Sequence, residues 1–107
     1  MLEVTFFERN HRYSIAAKGH AEYGPYGQNI VCAAVSVLLQ SYGNYLENLD
    51  RYNKVKVLEI KYEDGDIKVE ALDTTDRIKD LFLMTMGGIE DVYNAYPGLI
   101  HLNYKTH

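Results

Sequence analysis

The strongest constraint on the fold is a recurring pair of short segments in which apolar residues alternate with polar ones around a polar turn. Residues 2–7 and 12–19 flank the turn Arg9-Asn10-His11. Alternation with a period of two indicates strands that bury one face, and the short turn joins them as a hairpin. This pattern predicts that the start of the chain forms part of a sheet.

A second hairpin is predicted further along. Lys54 to Tyr62 and Asp66 to Leu72 are rich in Val and Ile and flank the turn Glu63-Asp64-Gly65. The alternation slips near Val57-Leu58, which a β-bulge would explain.

Helical periodicity follows each hairpin. From Asn29 to about Leu49, apolar residues recur at spacings of three and four, which predicts a helix that carries much of the core. Thr74 or Thr75 is predicted to cap a second helix that runs to about Tyr96. Its Gly87-Gly88 pair predicts a kink or tight helix packing. The apolar residues of the first helix are Ile30, Ala33, Ala34, Val37, Leu38, Tyr45 and Leu49.

A last strand, Leu99 to Tyr104, completes the order ββαββαβ. This order predicts an α+β fold, with an antiparallel or mixed sheet of about five strands packed against two helices. The length of 107 residues suits one domain, 1–107.

Composition excludes several classes of protein. The formal net charge of −4 without a Lys/Arg cluster argues against direct nucleic-acid binding. No apolar run could span a membrane, and the first residues lack the features of a signal peptide, so we expect a cytoplasmic protein. One cysteine rules out an internal disulfide and a thiolate zinc site. His11, His101 and His107 are too dispersed to suggest a metal site, and we expect no cofactor.

Two side chains carry the candidate chemistry. His20 closes the second strand, and Cys32 is expected about one turn into the first helix. The free N–H groups of a first helical turn stabilise a thiolate and an oxyanion. A histidine within reach takes the thiol proton and returns it to a leaving amine. Taken alone, however, a cysteine among Ile30, Val31 and Ala33 is more often a small buried hydrophobe than a nucleophile, and His20 is more often an ordinary strand-end residue than a catalyst.

The motif around these residues resembles a known family. Gly19-His20-Ala21, then Gly24 and Gly27, then the segment from Ile30 to Ser36 (IVCAAVS) are similar to the signature of the ribosomal-processing cysteine protease (Prp or YsxB-like) family. The order of strands and helices and the closing Tyr96-Pro97 extend the resemblance over essentially the whole chain.

The resemblance implies a cysteine endopeptidase with a Cys–His dyad, here Cys32 and His20. Its substrate would be the N-terminal extension of a large-subunit ribosomal protein precursor, cut after an aromatic residue that precedes small and basic ones. Residues 21–28 would be a flexible cover over the peptide. The resemblance also implies a homodimer.

Supporting roles are expected for several neighbours. Ser36 lies one helical turn beyond Cys32, and Tyr23 and Tyr26 are either substrate-stacking or plain exposed tyrosines. Gly24 and Gly27 belong to the loop signature. The family usually has Asp where this chain has Asn29, which can cap the helix but supplies no negative charge.

That departure keeps a second function open, a non-catalytic, ribosome-associated peptide-binding module with the same fold. A structural dimer whose cysteine only packs is a third alternative.

Overall fold

The structure is a computed structural model that describes residues 1–20 and 25–106, with side chains described for 1–20 and 30–105. It contains five strands and two helices in the predicted order ββαββαβ. The elements are β1 (Leu2–Arg9), β2 (Arg12–Lys18), α1 (Pro25–Arg51), β3 (Lys56–Glu63), β4 (Asp66–Leu72), α2 (Lys79–Ala95) and β5 (Ile100–Thr106).

The strands form one mixed sheet with the order β3-β4-β2-β1-β5. All neighbours are antiparallel except β1 and β5, which are parallel. The predicted irregularity is confirmed, because the β3–β4 register shifts between Val57 and Glu59.

One face of the sheet forms the core with the helices. The cross-strand series Phe6, Ile15 and Val69 is fully buried, and the ring of Phe6 stacks on Tyr104 with centroids 5.3 Å apart. The opposite face is lined by polar side chains such as Glu3, Thr5, Ser14, Lys18 and Lys68. The sheet thus has one covered face and one polar face, as antiparallel sheets commonly do.

The prediction for α1 was wrong in two respects. The helix begins at Pro25 rather than at Asn29, consistent with the preference for proline at the first helical position. Its buried stripe is also rotated from the predicted one. The residues that enter the core are Val31, Val35, Leu39, Tyr42 and Leu46, whereas Ile30, Val37 and Tyr45 are exposed. The predicted apolar stripe was right for Leu38 and Leu49, which pack against the core, and wrong for Ile30, Val37 and Tyr45.

The two helices pack closely at Gly88. A Cβ built on this glycine would lie 3.2 Å from both terminal methyl carbons of Leu38 on α1. The predicted tight packing at the Gly87-Gly88 pair is therefore confirmed for Gly88, whereas Gly87 has nothing within 4 Å of such a Cβ.

The start of α2 differs from the prediction that Thr74 or Thr75 caps it. The helix begins at Lys79, and no side chain of its N-cap residue makes a capping bond. The buried carboxylate of Asp73 instead accepts hydrogen bonds from the Ile78 N–H at 2.7 Å, the Thr75 N–H at 3.1 Å and the Thr75 hydroxyl at 2.7 Å. Asp73 thereby organises the whole turn that leads into the helix.

Asp73→Ala is expected to lower the free energy of unfolding by about 2–4 kcal/mol, because it leaves buried donors without an acceptor. Burial raises the pKa of Asp73, but the hydrogen bonds from Thr75 and Ile78 outweigh it and leave the pKa below its ordinary value. A depressed folded-state pKa stabilises the protein above the unfolded-state value of about 4 and loses that effect as the pH falls.

The measurement is urea unfolding at pH 7 and at pH 3. The difference in unfolding free energy between Asp73→Ala and the wild type should be smaller at pH 3 than at pH 7. Asp80→Ala is the matched control, because this carboxylate is exposed in the first turn of α2, where its interaction with the helix dipole contributes about 0.3–1 kcal/mol. Equal losses in the two variants would contradict the role assigned to Asp73.

Neither helix of the described residues combines the length and the apolar character that a membrane span requires.

Candidate active site

His20 lies just beyond the end of β2, where the chain leaves the sheet. Gly19 has a φ of +91°, and a Cβ built on it would lie 2.7 Å from the backbone oxygen of Met1. Only glycine combines this backbone conformation with so close an approach of main chain. The imidazole that follows is exposed. The Gly-His part of the motif therefore places an accessible histidine at the end of β2, the central strand of the sheet.

Cys32 lies on α1, and its side chain is half-buried and not in a disulfide. Because the helix begins at Pro25, Cys32 is its eighth residue and lies about two turns from its start. Its N–H is therefore within the helical hydrogen-bond ladder, and the helix end is roughly 10 Å away along the axis. The prediction that free N–H groups surround Cys32 was wrong for this reason.

His20 and Cys32 nevertheless line the same cleft, which has a volume of about 80 Å³. This is room for a few water molecules or for the reacting carbonyl of a peptide. Its walls come from the start of β1, the end of β2, the β3–β4 turn and α1, with Leu2, Ala17 and Val35 as apolar members. Among the hydrogen bonds of the described residues, none joins the imidazole to the thiol.

Ser36 also lines the cleft, one helical turn beyond Cys32, and is partly buried. For the other predicted supporting residues, the structure describes fewer features. Tyr23 and Gly24 lie outside the described residues. Gly27 and Asn29 belong to the first turns of α1, as does Tyr26, and their side chains lie outside the described part of the chain. The predicted loop 21–28 was wrong for residues 25–28, which are helical.

The acidic β3–β4 turn is a part of the cleft that sequence reasoning missed. Glu63, Asp64 and Asp66 all line it. A hydrogen bond from Lys61 Nζ at 2.8 Å lowers the pKa of Asp66 and raises that of Lys61. These acids give the rim of the cleft negative charge. The Asp64-Gly65 turn marked the hairpin, but only the pairing of β2 with β4 brings it to His20.

A larger cavity lies elsewhere in the described part of the chain. A groove of about 1030 Å³ runs between α1 and α2 and reaches β5, and neither His20 nor Cys32 lines it. Its lining is mainly aromatic and aliphatic and includes Tyr45, Met84 and Tyr104. Its position and lining fit a contact surface rather than the chemistry of a thiol and an imidazole.

A thiol and an imidazole that line one cleft at the edge of an α+β domain define a candidate cysteine hydrolase. The family model of cysteine protease Prp matches residues 1–101. The chain therefore belongs to the cysteine protease Prp family and is a peptidase.

Similar proteins support this assignment. A ribosomal processing cysteine protease Prp from Staphylococcus aureus is 29% identical over 107 residues, with 97% of each chain covered. A crystal structure of Prp from S. aureus with a covalently linked product peptide matches with a TM-score of 0.76 at 27% identity, over 98% of this chain and 100% of that one.

The same S. aureus protease in complex with a substrate peptide gives a TM-score of 0.75 at 25% identity, with 98% of this chain and 100% of that chain covered. A protein from Streptococcus mutans gives a TM-score of 0.70 at 29% identity, with 100% and 96% covered. These structures confirm the five-stranded mixed sheet with two helices.

Proposed function

We propose that this protein is the endopeptidase that removes the N-terminal extension of a large-subunit ribosomal protein precursor, with Cys32 as nucleophile and His20 as base. The observation that carries the proposal is that both side chains line one cleft. The covalently linked product peptide of the S. aureus relative supports a nucleophilic mechanism. The proposal also implies a cytoplasmic protein, because the precursor is a ribosomal protein.

In the acylation half of the reaction, His20 accepts the proton of the Cys32 thiol and the sulfur attacks the carbonyl carbon of the scissile bond. The tetrahedral intermediate collapses, the C–N bond breaks, and the imidazolium gives its proton to the leaving amine. In the second half, His20 takes a proton from water, which attacks the thioester, and the thiol is released with its proton restored. The cycle balances without a cofactor.

The charge of the cleft supports a basic substrate. Glu63 and Asp64 lie on its rim, beside Asp66 with its Lys61 partner. A peptide with basic residues after the cleaved bond would be attracted to this rim, mainly through a faster association rate that salt reduces.

The test is to incubate the protein with a peptide in which an aromatic residue precedes small and basic residues, and to follow the products by mass spectrometry. We expect one cut, after the aromatic residue. Because Cys32 is the sole cysteine of the chain, protein treated with iodoacetamide is a matched control and should be inactive. An intact peptide after prolonged incubation with untreated protein would contradict the proposal and favour a binding module.

We further propose that the groove between α1 and α2 is the contact surface of a homodimer. Several large side chains that line the groove are exposed, with Met84 at 72%, Tyr104 at 52% and Tyr45 at 51%. Exposed apolar side chains that line one groove are of the kind that marks protein contacts. Sedimentation velocity should give a dimer for the wild type and a monomer for Met84→Glu. Tyr52→Glu is the control, an exposed site outside the groove that should remain dimeric. A monomeric wild type would exclude this assembly.

A further inference from the structure

The turn between β3 and β4 lies directly against the imidazole of His20. A Cβ built on Gly65 would be 2.8 Å from Nε2 of His20 and 3.3 Å from Cε1, where ordinary contacts lie at 3.4–4 Å. The ring therefore occupies the space that any side chain at position 65 would need.

The backbone before His20 is tied to the same glycine. The N–H of Gly19 donates a hydrogen bond to the carbonyl oxygen of Gly65 at 2.9 Å. This bond extends the β2–β4 ladder beyond its last pair, Lys18 with Asp66. Gly65 therefore contacts both the main chain that precedes His20 and the imidazole ring itself.

We propose that Gly65 is a positioning residue, whose missing side chain lets the His20 ring lie over the turn and face the cleft that holds Cys32. The importance of this placement for catalysis rests on the proposed role of His20 as the base. An added methyl group at position 65 meets the far end of an exposed side chain and not main chain. The ring would therefore swing aside while the fold persists, unlike at Gly19, where backbone blocks a Cβ.

Gly98 provides a matched control. Its φ of +86° is close to the +72° of Gly65, so alanine strains the backbone similarly at both positions, but nothing lies within 4 Å of a Cβ at Gly98. Gly65→Asn is a second variant with the same Cβ and less strain, because asparagine tolerates the left-handed region.

The experiment compares Gly65→Ala, Gly65→Asn and Gly98→Ala by ¹H–¹³C NMR of the histidine rings, kcat, KM and melting temperature. Both alanine variants should melt at similarly reduced temperatures. Only the Gly65 variants should shift the ring resonances of His20 and lower kcat by between about 10- and 100-fold, with KM nearly unchanged.

Unmoved His20 resonances in the Gly65 variants, or a kcat loss no larger than in Gly98→Ala, would overturn the proposal. If the wild type fails to cleave the peptide, the proposed function fails, but the NMR comparison still decides whether Gly65 positions the ring.

Discussion

Cys32→Ala is expected to lower peptide cleavage by a factor on the order of 10⁴ or more, because no other group in the chain can form the thioester. The fold should survive, since the side chain is half-buried and alanine fits a helix well. The measurement is the initial rate of product formation by mass spectrometry, with circular dichroism to verify that the variant is folded.

Ser36→Ala is the matched control for this prediction. Ser36 lines the same cleft from the same helix, so its replacement makes a comparable change in volume and polarity. A supporting hydroxyl should change the rate by no more than about tenfold, equivalent to one ordinary hydrogen bond. Cleavage by Cys32→Ala at the wild-type rate would remove the thiol from the mechanism. If Ser36→Ala lost as much cleavage activity as Cys32→Ala, the hydroxyl of Ser36 would have a direct role in the reaction and not only a supporting one.

The sheet was predictable from sequence because its signals are local. Each hairpin combines alternating residues with a turn that lies within a few positions of them, as around Asn10 and around Asp64-Gly65. The observed strands β1 to β4 agree with the predicted ones to within about two residues, the usual uncertainty of strand ends. The pairing of β1 with β5 joins the two ends of the chain and had no local signal.

The details of the helices depended on distant residues and were less predictable. The stripe of α1 that enters the core was set by which face of the helix met the sheet, so Val31 is buried and Ile30 is exposed. Asp73 replaced the expected threonine caps because it stands at the end of β4, where its carboxylate reaches Ile78. Local propensity did not distinguish the candidates for the buried face of α1 or for the residue that caps α2. Contacts with distant parts of the fold decided both.

For the candidate site, the motif selected the two candidate residues, His20 and Cys32, but the sequence carried no information on what surrounds them. The residues around Cys32 marked a family signature, and the structure places His20 in the same cleft. The role of the β3–β4 turn is invisible in the sequence, because Gly65 meets His20 only through the pairing of β2 with β4.

His20→Ala is expected to reduce kcat by between about 10²- and 10⁴-fold, the usual contribution of general acid–base catalysis. The ring is exposed, so its removal should cost little stability and leave an accessible gap beside Cys32. Added imidazole should therefore restore part of the activity of His20→Ala and none of that of Cys32→Ala. Reaction of Cys32 with iodoacetamide at pH 7 should also slow in His20→Ala, because the thiol loses its proton acceptor.

His101→Ala serves as the control, since His101 is also exposed but lies on β5 and outside the cleft. Its cleavage and alkylation rates should match those of the wild type. The double variant Cys32→Ala/His20→Ala should be no slower than Cys32→Ala alone, because two groups that act in one step are not additive. If His20→Ala kept the wild-type kcat, or if the double variant lost activity multiplicatively, the imidazole would not be the base for this thiol, and another proton acceptor of the cleft would have to replace it.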